Sequence, residues 1–192
     1  MRLPSRAGCA KSILTEILSY LVRIVIVFKG EKMKKLLVYA TKGGDTKVVS
    51  EYIASKLGFE IKEAKELNEG DLAGASAFIF AASTHGDGQI QAKFDDKLEL
   101  LNKTDLDGRK VALIGVGNVE RHGSDFCSGM SAFLPVLKKA NLIGAWGAEG
   151  YKFKHSRAFI NGKFVGLTID FKGDEHWQAR TDKWIAAVKG EF

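Results

Sequence analysis

Short apolar runs alternate along the chain with segments in which apolar residues recur every three or four positions. Residues 36–40, 77–82 and 111–116 are runs of apolar residues and glycine without a single charge. Such runs predict strands buried on both faces, and each is followed by a glycine-containing loop and then by a segment of helical periodicity. This order predicts an α/β fold in which a parallel sheet is covered by helices on both faces.

The remaining elements follow from the same pattern. Further strands are predicted at residues 59–64 and as two half-strands at 142–146 and 165–169. The residues predicted to share a helix face are Val49, Ile53 and Leu57, then Phe94, Leu98 and Leu101, then Phe126, Met130, Phe133 and Leu137, and finally Trp184, Ile185 and Val188. We expect Pro135 to kink or shorten the third of these helices.

The first 32 residues differ from the rest. Residues 13–28 are largely apolar, but Glu16 and Arg23 interrupt them, and the stretch is short for a spanning helix, which needs about 20 apolar residues. No signal-peptide cleavage pattern follows, and Met33 stands just before the first strand. We therefore predict a domain at 33–192 and interpret 1–32 as translated upstream sequence. An amphipathic segment that anchors the protein on a membrane surface is the alternative.

Composition narrows the class of protein. The 192 residues are 45% hydrophobic and 27% charged, which is typical of globular proteins and excludes disorder and a multi-pass membrane protein. The net charge is +6, but residues 1–32 hold six basic and two acidic residues, so the rest carries only +2. We expect no nucleic-acid binding from so small an excess. Two cysteines allow no disulfide framework, and we expect a cytoplasmic protein.

Three loops leave the carboxyl ends of the predicted strands, where such sheets bind ligands. They are residues 41–46, 83–88 and 117–125, and all three contain glycine. The first combines two hydroxyls, two glycines and a helix N-terminus, which suits a phosphate group. The alternative is that these residues form a plain glycine turn that binds no ligand, with Thr46 as the cap of the helix that follows. The sequence has no nucleoside-triphosphate motif, no Gly-x-Gly-x-x-Gly and no cluster of metal ligands.

Together the loops resemble those of the long-chain flavodoxins over residues 33–192. Residues 41–46 (Thr-Lys-Gly-Gly-Asp-Thr) resemble the phosphate loop of that family, 83–88 its first flavin loop, and 117–126 its second. Residues 151–166 resemble the insertion of the long-chain class, with Asn161-Gly162 as a hairpin turn. The resemblance implies a flavodoxin-like, doubly wound, five-stranded parallel sheet whose last strand is split by the insertion.

Bound FMN and single-electron transfer are what this resemblance implies for function. The protein would be a monomeric, low-potential carrier between redox proteins, with a reductase as donor and an oxidoreductase as acceptor. The cofactor-binding residues implied are Thr41, Lys42, Gly43, Gly44, Asp45, Thr46, Ser83, Thr84, His85, Gly86, Asp87, Gly117, Asn118, His122 and Asp125. No catalytic residue is implied.

The chain departs from the family at several of these positions. His85 and His122 stand where the family usually has aromatic residues that stack on the flavin, and Gly43 stands where a hydroxyl is usual. The family is also usually acidic, whereas residues 33–192 are slightly basic. Two alternatives therefore stay open: an FMN-dependent quinone or nitro reductase, and a binding or regulatory protein that has lost the flavin.

Overall fold

A doubly wound parallel sheet forms the centre of residues 33–192, the part of the chain that the computed structural model describes. The predictions for residues 1–32 lie outside the described residues. The strands are β1 (Lys34–Ala40), β2 (Glu60–Glu63), β3 (Ala75–His85), β4 (Gln89–Ile90), β5 (Lys110–Gly117), β6 (Asn141–Ile143), β7 (Phe159–Ile160), β8 (Lys163–Phe164) and β9 (Leu167–Asp170). The order β2-β1-β3-β5-β6 is parallel throughout, which confirms the predicted fold class.

The last position of the sheet is shared by two short strands. β6 pairs with the beginning of β5, where Val111 lies opposite Leu142, and β9 pairs with its end, where Val116 lies opposite Ile169. The two half-strands predicted from the sequence thus lie on the same side of β5. The insertion leaves the sheet after β6 and returns at β9.

Helices cover both faces of the sheet because both faces of its strands are apolar. They are α1 (Asp45–Leu57), α2 (Glu69–Gly74), α3 (Asp95–Lys103), α4 (Val119–His122) and α5 (Trp177–Val188). On one face α1 and α5 bury Val49, Ile53 and Trp184. On the other face Phe94, just before α3, packs against Phe80 of β3 and Phe133.

The helix predicted from Phe126 to Leu137 is wrong in type. The chain there forms a 3₁₀ segment at Ser128–Phe133, although all four predicted helix-face residues are buried. Cys127 precedes the 3₁₀ segment with a left-handed φ of 55°, which an α-helix cannot contain. Close packing against β5 accompanies this path, since a Cβ at Gly115 would lie 2.7 Å from Cβ of Cys127.

The insertion carries the predicted hairpin and packs an aromatic cluster onto the domain. β7 and β8 are joined by Asn161 and Gly162, whose φ angles of 52° and 79° match the turn that this dipeptide favours. The ring centroids of Phe153 and Phe164 lie 6.1 and 6.0 Å from that of Phe126. These contacts fix the insertion beside the second predicted flavin loop.

Arg180 of α5 ties the start of the insertion to the sheet. Its side chain is 5% exposed, and it donates to the carbonyls of Gly147 (2.7 Å) and Thr168 (2.8 Å). It also contacts the Tyr151 ring, with the guanidinium carbon 4.3 Å from the ring centroid. A buried guanidinium with these partners replaces water for several carbonyl groups at once.

No helix within residues 33–192 is long and apolar enough to cross a membrane.

Candidate functional site

The three predicted loops meet at one edge of the sheet and enclose an open cleft of about 200 Å³. The lining of this cleft contains all of the predicted site residues except Gly44, Gly86, Asp87 and Asp125. The lining residues are Thr41, Lys42, Gly43, Asp45, Thr46, Ser83, Thr84, His85, Val116, Gly117, Asn118, Arg121, His122 and Lys172. The edge is that of the carboxyl ends of β1, β3 and β5, as parallel topology requires.

Residues 41–46 turn sharply from β1 into α1. Gly44 is the N-cap residue with a φ of 97°, a conformation that costs glycine little, and its N–H donates to Oγ1 of Thr41 (2.9 Å). The first backbone bond of the helix runs from Val48 N–H to the Gly44 carbonyl (3.1 Å). The N–H groups of Asp45 and Thr46 therefore have no partner within the helix and can bind an anion.

The expectation that Thr46 caps α1 is wrong. Gly44 holds the N-cap position, and Thr46 is the second residue of the helix. Thr46 is only 1% exposed and lies in the wall of the cleft. Its side chain is thus part of the cleft beside the helix N-terminus rather than the group that starts the helix.

Residues 83–85 belong to a strand instead of a loop. β3 continues to His85 because β4 pairs with it antiparallel, with His85 opposite Gln89. Oγ1 of Thr84 also accepts a hydrogen bond from Gly129 N–H (3.0 Å), which fixes the strand end to the 3₁₀ segment. The end of β3 therefore holds His85 at the cleft.

The surroundings of His85 favour its neutral form. Burial lowers the pKa of its imidazole, and the positive charge of Lys42 and the proximity of His122 lower this pKa further. Nε2 of His85 lies 3.2 Å from Oγ of Ser83. Two imidazoles thus flank the cleft close enough to influence each other, one from the end of β3 and one from α4.

The loop after β5 is built around a cap. Oδ1 of Asn118 accepts from the Arg121 N–H (2.7 Å) and starts α4, whose last residue is His122. Phe126 packs against Gly117, where a Cβ would lie 3.2 Å from its ring. A residue with a side chain at position 117 would crowd the Phe126 ring, and glycine avoids this contact.

Gly86, Asp87 and Asp125 lie beside the cleft and do not line it. Gly86 and Asp87 belong to the turn between β3 and β4. Asp125 lies over Gly88, where a Cβ would be 2.6 Å from its Oδ1. The Asp125 side chain thus faces the turn after β3, and its expected contact with the cofactor stays a prediction.

Two cations of the lining were not predicted from the sequence. Arg121 lies on α4, and Lys172 follows β9, whose carboxyl end lies at the same edge. Nζ of Lys172 is 3.6 Å from Oδ2 of Asp45 at the start of α1. With Lys42, these residues add positive charge to the cleft, partly offset by the Asp45 carboxylate, which suits an anionic ligand.

A cleft of this kind, with an anion-binding helix N-terminus and two imidazoles in its lining, is typical of a mononucleotide-binding protein of the doubly wound α/β class. The family model for flavodoxin matches residues 37–166. The chain is 32% identical over 166 residues to flavodoxin 1 of Azotobacter vinelandii, with 81% of this chain and 95% of the relative covered. It is 28% identical over 158 residues to the flavodoxin of Helicobacter pylori, with 81% and 96% covered.

Solved structures give the same result. The crystal structure of Fusobacterium nucleatum flavodoxin bound to flavin mononucleotide matches with a TM-score of 0.77 and 26% identity. The match covers 83% of this chain and 98% of that chain. This chain belongs to the flavodoxin family.

Proposed function

We propose that residues 33–192 bind FMN in this cleft and carry electrons one at a time between redox proteins. The observation that carries the proposal is the convergence of the three loops on one cleft at the carboxyl ends of β1, β3 and β5. Flavin chemistry supplies the electron transfer when FMN is bound, and the protein sets binding, access and potential.

The phosphate group would bind at the N-terminus of α1. We expect the N–H groups of Gly43, Asp45 and Thr46 to donate to it, with the hydroxyls of Thr41 and Thr46 beside them. Oγ1 of Thr41 accepts from Gly44, so its own proton remains available for donation to a phosphate oxygen. Lys42 and Lys172 add positive charge that favours the dianion.

The ring would lie between the end of β3 and α4. His85 and His122 replace the usual stacking aromatics and still offer planar faces, while Ser83, Thr84, Gly117 and Asn118 line the space between them. Imidazoles bury less area than Trp and Tyr, so we expect weaker stacking and a larger share of the affinity at the phosphate end. Gly86 and Asp87, on the turn after β3, would adjoin the ring edge.

The partners we propose are a reductase that donates electrons and an oxidoreductase that accepts them, met by a monomer in the cytoplasm. A carrier of this kind needs an exposed cofactor edge and no substrate pocket of its own. The two histidines that would flank the ring are accessible to solvent, since His85 is half-buried and His122 is exposed. This arrangement supports access by a protein surface.

A titration with two flavins tests the proposal. The apoprotein should quench FMN fluorescence at a 1:1 ratio and bind riboflavin much more weakly, because riboflavin lacks the phosphate. The loaded protein should then accept electrons from NADPH only when a flavodoxin reductase is added. Failure to retain FMN through gel filtration would favour a flavin-free module, and rapid NADPH oxidation without a reductase would favour an enzyme.

A further inference from the structure

Arg157 of the insertion reaches the turn that follows β3. Its Nη2 donates to the carbonyl of Asp87 at 2.6 Å, although the two residues are 70 positions apart. Asp87 and its neighbour Gly86 are among the residues expected to adjoin the flavin. The insertion therefore contacts the first flavin loop directly through a charged hydrogen bond.

The backbone around Arg157 is firmly held. Its N–H donates to Oγ of Ser128 (3.0 Å), and the residues on either side, Ser156 and Ala158, are 6% and 0% exposed. The carbonyl of Ala158 accepts from Val165 N–H at 2.9 Å, which ties this stretch to the far side of the hairpin. An exposed guanidinium on a fixed base can restrain the turn it contacts.

The surroundings of Gly88 show how closely the Arg157 side chain packs against the turn after β3. Its φ is +81°, and a Cβ there would collide with Nη2 of Arg157 and lie 2.6 Å from Oδ1 of Asp125. The turn 86–88 is thus enclosed between a cation from the insertion and a carboxylate from the second flavin loop. Three segments that are separate in the sequence meet at this glycine.

We propose that Arg157 is a positioning residue for the flavin, acting through the Asp87 carbonyl and through its charge. The hydrogen bond fixes the Asp87–Gly88 peptide, and so limits the orientations open to Gly86 and Asp87 beside the ring. The positive charge of the guanidinium favours the negative charge that the second electron leaves on the flavin. This inference rests on the proposed binding of FMN in the cleft.

Substitutions of Arg157 separate the contribution of its hydrogen bond from the contribution of its charge. Arg157→Lys keeps the charge but loses the planar donor, Arg157→Gln keeps a donor but loses the charge, and Arg157→Met loses both. Lys163→Met is the matched control, because Lys163 is an exposed cation on β8 of the same insertion. For each purified protein we would measure the FMN dissociation constant by fluorescence quenching and both one-electron potentials by redox titration at fixed pH and ionic strength.

In Arg157→Met the dissociation constant should rise about tenfold, as expected for one hydrogen bond made by a charged group. The second potential should fall, by about 59 mV if the reduced flavin loses a further factor of ten in affinity. Arg157→Gln should show the lower potential with a smaller loss of affinity. Arg157→Lys should keep a potential near that of the wild type.

Equal affinities and potentials for Arg157→Met and Lys163→Met would overturn the proposal. So would a second potential that falls equally in Arg157→Lys and Arg157→Met, because the charge would then have no part. A wild-type protein that does not bind FMN at all is a different result, which removes the proposed function itself.

Discussion

Nε2 of His85 lies 3.2 Å from Oγ of Ser83, two residues earlier on the same strand. Residues two apart point to the same face of a strand, and both of these residues line the cleft. A neutral imidazole can accept from the hydroxyl at this nitrogen, and the lowered pKa of His85 keeps the ring in that form near neutral pH.

The histidines should make the second one-electron potential of bound FMN depend on pH. Oxidised flavin is neutral, while the fully reduced ring is an anion, so reduction raises the pKa of a nearby imidazole and takes up a proton. The potential should therefore become less negative as pH falls toward the lowered pKa of His85. Redox titration from neutral to acidic pH should show a smaller slope and a lower potential in the double variant His85→Phe with His122→Phe. An unchanged slope would show that these rings do not affect the flavin.

Stability of the apoprotein should fall in acid because of the same histidine. Since the folded state lowers the pKa of His85, the unfolded chain binds this proton more readily. The contribution of His85 to stability is present above the unfolded pKa of about 6.5 and is lost as pH falls toward the folded value. Urea unfolding at several pH values should show a smaller acid loss in His85→Gln than in the wild type. A steeper loss of stability in the variant as pH falls would contradict the lowered pKa of His85.

Gly43 and Gly44 should respond differently to the same substitution. A Cβ at either glycine meets nothing within 4 Å, but only Gly44 has a left-handed φ, of +97°. Gly43→Ser restores the hydroxyl usual at this position and should tighten FMN binding about tenfold through a hydrogen bond to the phosphate. Gly44→Ser should cost about 1–2 kcal/mol of stability from backbone strain. Fluorescence titration measures the FMN affinity of both variants, and urea unfolding measures their stability. Equal changes of affinity and of stability in the two variants would contradict the prediction.

Thr46 should act on the phosphate and not on the helix start. Thr46→Val keeps the branched shape and removes the hydroxyl, so FMN affinity should fall about ten- to hundredfold. Riboflavin affinity should hardly change. Thr104→Val is the control, because the Thr104 hydroxyl donates to the Leu100 carbonyl at the end of α3 and lies outside the cleft lining. Equal losses for FMN and riboflavin would place the phosphate elsewhere.

Arg180 should matter more to stability than Lys183, the exposed cation of the same helix, because its guanidinium is buried. Arg180→Met leaves the carbonyls of Gly147 and Thr168 without their donor and should destabilise the fold by about 3 kcal/mol or more. Lys183→Met removes a charge from the exposed face of the helix and should change stability by less than about 0.5 kcal/mol. Urea unfolding compares the two, and a similar small effect in both would contradict a structural role.

The sequence alone determined the main elements and the edge at which the cleft lies. Continuous apolar runs such as 77–82 require burial on both faces, and helical spacing such as Val49 to Ile53 requires one covered face. Parallel connection then brings the loops after β1, β3 and β5 to the same edge. These are short-range properties, so they can be recognised without knowing which segments pack together.

Contacts between distant segments decided the rest. β3 continues through His85 because β4 pairs with it, and residues 128–133 form a 3₁₀ segment where Cys127 packs closely on Gly115. Lys172 joins the cleft only because β9 ends beside β5, and Arg157 reaches Asp87 across 70 residues only because the insertion folds back toward the turn after β3. No local pattern marks such residues, since their roles depend on packing energies that exist only after the chain has folded.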